Sequence, residues 1–193
     1  MRRLAYSVGV LAALLASETG VGRAAQAAGA EPVVTMQVAE VSGSGCDRGN
    51  TTISTLPDRT EVVVGFSALS IRPASRWRTL DCAVRGSISV PAGYRATFVF
   101  FNAAAGYAAG SATLRQTRTF AAAPPTAGTR IFGPTFDDIF RVHNSDTPGG
   151  LIPCGGTIPF VNKIDLAAEA GATLSVDSFD IATSPDTVVL TKC

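Results

Sequence analysis

Side chains that could transfer protons are concentrated in one stretch, FGPTFDDIFRVHNSD, which contains Asp137, Asp138 and His143, the only histidine of the chain. A carboxylate and an imidazole that converge in a pocket can act as general acid and base, so these residues would suit a secreted hydrolase. On a β-strand, however, Asp137 and Asp138 point to opposite faces. We therefore expect a solvated strand end and turn here, and we predict no catalytic residue.

A metal centre or another cofactor is not expected either. The chain has four cysteines, Cys46, Cys82, Cys154 and Cys193, but no C-x-x-C motif. His143 has no cysteine at the spacing that zinc ligands require.

A binding surface is suggested instead by Arg76, Trp77 and Arg78, which include the only tryptophan. An exposed indole can stack on a sugar ring, while the flanking guanidinium groups bond to hydroxyls or carboxylates. Tyr107, an aromatic residue among small ones in AAGYAAG, is a further candidate platform. Each has a structural alternative: a lone tryptophan is typical of a plug over the end of a sandwich, and the tyrosine could pack against a close neighbouring backbone.

Alternation of apolar and polar residues predicts the elements that position these side chains. In CAVRGSISV the residues Cys82, Val84, Gly86 and Ile88 share one face, which indicates a half-buried strand. Similar segments recur between clusters of Gly, Pro, Asn and Asp. We predict an all-β domain: about eight to ten strands in an antiparallel β-sandwich, jelly-roll-like.

Helices could compete only in two alanine-rich segments, AAAGYAAG and DLAAEAGA. Both are short and contain glycine, so isolated helices there would be marginal. We allow at most one helical turn, near residues 167–170.

The first residues, MRRLAYSVGVLAALLA, place Arg2 and Arg3 before an apolar run that is followed by small residues. This pattern predicts a signal peptide over residues 1–27 and a single β-sandwich domain over residues 28–193. The run is too short to span a bilayer comfortably, and no later apolar segment is long enough. We expect a secreted protein, extracellular or periplasmic, with no membrane insertion.

The charge of the exported part argues against two partner classes. Removing residues 1–27 takes away three of sixteen basic residues and one of fifteen acidic ones, which leaves a formal charge of −1. Nucleic-acid binding requires a basic stripe, and binding to a membrane surface requires a basic amphipathic helix. We find neither pattern and predict no nucleic-acid partner.

An even number of cysteines in an exported chain predicts disulfides. Four cysteines permit three connectivities. We favour Cys46 with Cys82 and Cys154 with Cys193, because each pair closes a moderate loop. On the chain-entropy account each bond contributes roughly 3–4 kcal/mol, and the second would anchor the chain end.

Eight short motifs follow one another along the chain: VSGSGC, LDC, VPAGY, GYA at Gly106–Ala108, FGP at Phe132–Pro134, PCGG at Pro153–Gly156, VDSFD and the final KC. In this order they resemble the secreted family known as domain of unknown function 4360. The resemblance implies small, exported, β-rich proteins with disulfides, and it fits the cysteine pairing above. It implies no defined activity and supplies no catalytic residues.

Three functional hypotheses follow. The first is a non-enzymatic module that binds a glycan or an extracellular protein at a surface, with Arg76, Trp77, Arg78 and Tyr107 as candidates. The second is a carboxylate-dependent hydrolase that uses the region of Asp137, Asp138 and His143. The third is a structural, envelope-associated protein without a small ligand.

Overall fold

The computed structural model describes residues 32–57, 60–121, 123–146, 154–183 and 188–193. Residues Pro32–Cys193 form one compact unit. All regular structure in the described residues is β-strand, arranged in antiparallel sheets, so the predicted all-β sandwich is confirmed. The predicted signal peptide lies outside the described residues.

The first sheet has five antiparallel strands in the order β1-β5-β11-β8-β9. Its two longest strands, β5 and β11, pair over their full common length. The strands are β1 (Thr35–Ser42), β5 (Arg78–Ser89), β8 (Ala112–Phe120), β9 (Thr126–Phe132) and β11 (Thr157–Ala168).

The second sheet has the order β10-β7-β12-β3-β2, and the short β4 pairs with β12 beside β3. A separate two-stranded ladder joins β6 to β13. The strands are β2 (Thr51–Thr55), β3 (Glu61–Phe66), β4 (Ser70–Ile71), β6 (Tyr94–Thr97), β7 (Phe100–Ala109), β10 (Asp137–Asp146), β12 (Thr173–Thr183) and β13 (Val189–Lys192).

The core lies between the two sheets and follows the predicted alternation. On β5 the predicted inner face is buried, with Cys82, Val84 and Ile88 fully inaccessible to solvent. Phe100 of the second sheet meets two phenylalanines of the first, at ring-centroid distances of 5.1 Å to Phe120 and 5.5 Å to Phe160. These contacts hold the sheets face to face.

The described residues form thirteen strands, more than the eight to ten predicted, because several of these strands pair over only two to five residues. Such strands are too short to show a periodic pattern. No helical turn forms near residues 167–170: Ala167 and Ala168 complete β11, and a turn follows, closed by the hydrogen bond from Ala172 N to Glu169 O at 3.1 Å. Alanine has the highest intrinsic helix propensity, but pairing of β11 with strands on both sides overrides it.

Both predicted disulfides are confirmed. Cys46 bonds to Cys82 in the buried core, with a Cα–Cα distance of 5.5 Å. Cys154 bonds to Cys193 at the surface, with a Cα–Cα distance of 6.2 Å. The second bond attaches the end of the chain beside the ladder of β6 and β13, as the terminal position of Cys193 suggested.

Polar side chains also lie inside the sandwich, toward its β9–β10 side. Asn102 of β7 donates to Asn162 of β11 at 3.4 Å, and Asn144 of β10 donates to Gln116 of β8. Arg118 of β8 is buried and donates to the carbonyl oxygen of Asn144 at 3.4 Å. These bonds join the two sheets by hydrogen bonding as well as by apolar packing.

In the part of the chain that the structure describes, no helix has the length and hydrophobicity needed to cross a membrane.

Candidate functional site

The residues considered for hydrolysis do not come together. Asp137 lies opposite Ala109 and Asp138 opposite Ala108 on the ladder of β10 with β7, so the two carboxylates leave opposite faces of the strand. His143 is six residues beyond Asp137, a separation of about 20 Å along a strand. The convergence that general acid–base catalysis requires is therefore not formed by these three residues.

His143 lies in a groove of about 450 Å³ on the outer face of the second sheet, which we name the His143 groove. Along one row of this face, His143 of β10 and Asp180 of β12 flank Ala103 of β7. The small alanine leaves the space between the two larger side chains. The groove is lined by Glu61, Phe101, Asn102, Ala103, Arg141, His143, Asn144, Ser145, Asp180 and Ala182.

Two of the three charged side chains that line the His143 groove bind each other. Arg141 Nη2 lies 2.9 Å from Asp180 Oδ2, in an ion pair that crosses β7 where that strand carries only alanines. The third, Glu61, has no ion-pair partner among the described residues, and His143 makes no hydrogen bond to any of them. The groove therefore offers a ligand a shape, one imidazole and one carboxylate, whereas its guanidinium group is already bound by Asp180.

A second concavity, of about 780 Å³, is formed by the connection from β4 to β5 and the strand ends on either side, and we name it the Trp77 cleft. Clefts that hold small ligands are commonly about 300–1,000 Å³. Trp77 is 55 % exposed, so it does not form the buried plug that was the structural alternative. The cleft is lined by Ser70, Ile71, Arg72, Pro73, Ala74, Arg76, Trp77, Arg78, Thr79 and Leu80.

The connection that carries Trp77 is anchored at several points. Ile71 is buried opposite Leu174 of β12 and fixes the start of the connection to the sheet. The carbonyl oxygen of Ala74 accepts a hydrogen bond of 2.9 Å from Gly171 N. Gly171 has φ of 79°, in the left-handed region that glycine adopts without strain. Pro73 restricts the backbone further.

The cleft carries three exposed guanidinium groups, those of Arg72, Arg76 and Arg78. Within the described ranges of the chain, none of them makes an ion pair or a side-chain hydrogen bond. The surface around Trp77 is therefore locally positive, although residues 28–193 as a whole have a formal charge of only −1.

Asp81 is the acidic residue of β5 that is nearest to Arg78 in the sequence, and it binds other residues. Its carboxylate accepts hydrogen bonds from Ser44 Oγ at 2.6 Å and from Ser44 N at 3.1 Å. Lys163 Nζ lies 3.8 Å away. The hydrogen bonds from Ser44, together with the charge of Lys163, hold the pKa of Asp81 below its ordinary value. Asp81 therefore remains charged. Its carboxylate is bound by Ser44 and Lys163, and it makes no ion pair with Arg78.

Tyr107 lies outside the Trp77 cleft. It lies on β7 and faces outward. Ser175 of β12 lies between Tyr107 and Ser70 of β4, so two strand spacings, about 10 Å, separate the Cα atoms of Tyr107 and Ser70 at the edge of the cleft. Its hydroxyl donates a hydrogen bond to Asp137. That hydrogen bond to a carboxylate, with smaller contributions from burial and from the charges of Asp137 and Asp138, raises the pKa of Tyr107.

The structure thus brings three of the four predicted binding residues, Arg76, Trp77 and Arg78, into one cleft and leaves Tyr107 apart. Sequence reasoning missed Arg72. The signal was present in SIRPASRWR, where three arginines fall within seven residues around a proline.

Among the residues that the structure describes, no three histidine, cysteine, aspartate or glutamate side chains are grouped so that they could hold a metal ion.

Residues 32–193 match the model of the family described as Domain of unknown function (DUF4360). The chain belongs to this family. The resemblance drawn from the order of short motifs is thereby confirmed. A sequence comparison of this DUF4360 chain with curated proteins finds no match.

Two solved structures illustrate what the fold is similar to. One is TmCBM61 in complex with beta-1,4-galactotriose, with a TM-score of 0.32 and 10 % identity, covering 82 % of this chain and 88 % of that one. Another is the carbohydrate-binding module CBM6cm-2 from Cellvibrio mixtus lichenase 5A in complex with cellotriose, with a TM-score of 0.28 and 14 % identity, covering 77 % of this chain and 99 % of that one. At this degree of likeness neither structure carries an argument about a ligand of the present chain.

Proposed function

We propose that this protein is an exported, non-enzymatic carbohydrate-binding protein and that its ligand occupies the Trp77 cleft. One observation carries the proposal: the only tryptophan of the chain lies 55 % exposed in a concave surface, between arginines that are free to bond to a ligand.

The chemistry of the cleft suits a sugar. A pyranose ring has an apolar face of C–H groups, which can pack on an indole, and a rim of hydroxyls, which need hydrogen-bond partners. Trp77 offers the first contact, and Arg76 and Arg78 offer donors on either side of it. A tryptophan left exposed forgoes the free energy of burial, so covering Trp77 with a ligand would recover part of that free energy.

Binding is favoured over hydrolysis by the positions of the titratable residues. Asp137, Asp138 and His143 are dispersed along β10, and the Trp77 cleft is lined by arginines without a carboxylate or an imidazole. Proton transfer to a glycosidic oxygen ordinarily uses a pair of carboxyl groups that flank the scissile bond.

Export is the second half of the proposal. Residues 1–27 act as a signal peptide that is removed, and residues 28–193 form the secreted domain, in the periplasm or outside the cell. The two disulfides support this location, because disulfides form and persist in oxidising compartments.

A glycan array probed with the exported protein tests the proposal. We expect wild type to bind at least one class of saccharide and Trp77→Ala to lose that binding by about tenfold or more, the size expected when a well-packed aromatic contact is removed. Ile131→Ala is the matched control, because Ile131 is a large apolar residue that is 72 % exposed on β9, three strands away from β5 in the first sheet.

The outcomes separate the hypotheses. Absence of wild-type binding to every saccharide would overturn carbohydrate binding. Binding that survives Trp77→Ala would place the ligand elsewhere and overturn the assignment of the Trp77 cleft. Folding of each variant is checked by circular dichroism and by the thermal unfolding midpoint, which we expect to change little because both side chains are exposed.

A further inference from the structure

We infer that the saccharide held by the Trp77 cleft is anionic and that its carboxylate groups bind Arg72, Arg76 and Arg78. This inference rests on the proposed function and adds the chemical class of the ligand to it. Its physical basis is a group of unpaired positive charges in the cleft, compared with the ion pairs on other parts of the surface.

Three exposed cations elsewhere on the strands have acidic partners. Arg141 pairs with Asp180 at 2.9 Å, as described above. The other two pairs lie on the outer face of the first sheet, where Lys163 Nζ is 2.7 Å from Asp165 Oδ1 and Arg85 Nη1 is 3.3 Å from Glu40 Oε1.

Exposed cations without an acidic partner also occur singly among the described residues, as at Arg115, but the cleft groups three of them. Its three guanidinium groups arise from only seven consecutive residues and line one concavity, yet no carboxylate in the described chain lies within ion-pair distance of them. Like charges that share a concave surface repel one another, and the field between them is focused by the low-dielectric wall of the cleft. An anion that enters the cleft relieves this repulsion and gains from the field.

The guanidinium group also selects among anions. It presents planar, parallel N–H donors that match the two oxygens of a carboxylate, and such charged hydrogen bonds are roughly twice as strong as neutral ones. The arginines flank an indole, so the favoured ligand combines an apolar ring face with a carboxylate at the ring edge. A uronic-acid residue has both features in one unit.

The decisive experiment compares ligands that differ only in charge. Oligogalacturonates and their methyl esters share one carbohydrate skeleton, and a sulfated oligosaccharide with its desulfated form provides a second pair. Binding is followed by calorimetry and by the emission of Trp77, which reports on the cleft alone because it is the only tryptophan of the chain.

We expect the acid to bind about tenfold more tightly than its ester in dilute buffer, a ratio typical of one or two charge-assisted hydrogen bonds. This ratio should shrink as salt is added, since the Debye length falls from about 10 Å at 0.1 M to about 3 Å at 1 M. Equal affinity for acid and ester would overturn the inference and leave carbohydrate binding intact. Failure of every saccharide to bind would overturn both.

Charge-neutralising variants locate the effect. Arg76→Gln and Arg78→Gln should each bring the affinity for the acid toward that for the ester, because the charge-assisted bonds are lost while a neutral donor remains. Arg115→Gln is the matched control: Arg115 is exposed on β8 and has no ion-pair or hydrogen-bond partner among the described residues. An equal loss in Arg115→Gln would mean that net charge alone is responsible, and would overturn the inference.

A measurement without any saccharide gives an independent test of the field around Trp77. The ratio of iodide to caesium quenching should be larger for Trp77 than for free N-acetyltryptophanamide, and this excess should diminish in Arg76→Gln and Arg78→Gln. A ratio equal to that of the free amide would contradict a positive cleft.

Two further results would contradict the inference in other ways. A preference for the sulfated member of its pair, without any preference for carboxylates over esters, would overturn the assignment of carboxylates. Binding to phosphatidylserine vesicles that is unchanged in Trp77→Ala would show a general attraction to anionic surfaces instead of a saccharide site.

Discussion

The Trp77 cleft and the His143 groove are both concave, and they differ in how the backbone builds them. The His143 groove lies on regular strands, where cross-strand register places Arg141 beside Asp180 and the two charges bind each other. The Trp77 cleft lies on the connection between β4 and β5 and on the first residues of β5, where Arg78 faces Ala168 of β11. No described residue there supplies an acidic partner to Arg76 or Arg78.

This difference shows which of the two surfaces is free to bind. A charge that is already paired must lose its partner before it can serve a ligand, whereas an unpaired arginine loses only water. The strands therefore supply stability and a groove whose guanidinium group is already paired, and the connection supplies the available positive charge and the exposed indole. Binding residues that are held by loops on a rigid sandwich are a common arrangement in proteins.

The largest expected effect on stability concerns the backbone of β7, one of the strands that carry the groove. Gly106 of β7 lies where an added Cβ would overlap the carbonyl oxygen of Ser175 on β12. Gly106→Ala should lower the free energy of unfolding by about 1–3 kcal/mol or more, because β7 and β12 must move apart. Urea denaturation followed by circular dichroism measures the change.

Gly133→Ala is the control, since no atom lies within 4 Å of the added Cβ at that position. If Gly106→Ala were as stable as Gly133→Ala, β7 and β12 could move apart at little cost. The strands that carry the groove would then be less rigid than the comparison with the loop-borne cleft assumes.

A smaller effect is expected at Asp81, whose engagement by Ser44 and Lys163 leaves Arg78 unpaired. Asp81→Asn should reduce stability at neutral pH by about 1 kcal/mol, the net value of one hydrogen bond. Since the pKa of Asp81 is lowered by folding, its contribution is fully present above the unfolded pKa of about 3.8 and is lost as the pH falls below that value. The difference from wild type should therefore disappear in acid.

Denaturation at several pH values tests this prediction. Asp177→Asn is the control, because Asp177 has no hydrogen-bond or ion-pair partner in the described chain, and its stability should equal that of wild type. A deficit in Asp81→Asn that persists unchanged at pH 2 would show that the charge of Asp81 is not what stabilises this region.

The ion pair of the groove should contribute less. Arg141→Ala is expected to cost no more than about 1 kcal/mol, because exposed ion pairs contribute little, and it should leave saccharide binding unchanged. A double-mutant cycle with Asp180→Ala measures the coupling energy. A loss of binding in Arg141→Ala comparable to that in Trp77→Ala would transfer the binding site from the cleft to the groove.

The smallest expected effect is at Tyr107, which lies on the same sheet face as the groove. Asp137→Asn should lower the pKa of Tyr107 toward its ordinary value, because the carboxylate that favours the protonated hydroxyl is removed. An ultraviolet titration measures this shift, and Tyr107→Phe identifies which absorbance change belongs to Tyr107. A pKa of Tyr107 that is unaltered in Asp137→Asn would show that the hydrogen bond does not persist in solution.

Much of the scaffold could be predicted because its signals are local. The alternation around Cys82 and Val84 specified a strand and its buried face, and that face is buried in the structure. The glycines in the alanine-rich segments argued correctly against helices. The one helical turn that was still allowed near residues 167–170 does not form, because Ala167 and Ala168 complete β11. The cysteine pairing was predicted from loop length and export, and both bonds formed.

The buried amides illustrate what could not be predicted. Asn102, Asn162 and Gln116 are polar residue types that are mostly exposed, and their positions within strands do not reveal which neighbours meet them across the sandwich. Their burial and their hydrogen bonds depend on how two sheets are superimposed, which no local pattern encodes.

The sequence by itself therefore determined the fold class, the disulfide framework and the residue types of the candidate cleft, because periodicity, cysteine number and an Arg-Trp-Arg triplet are features of neighbouring residues. Only the tertiary structure decided that Trp77 is exposed, that Arg72 joins Arg76 and Arg78, and that Asp137 and His143 lie apart on one strand. Exposure and the pairing of charges depend on residues that are distant in the chain, and they are set only when the sheets pack and the connection from β4 to β5 is fixed against β12.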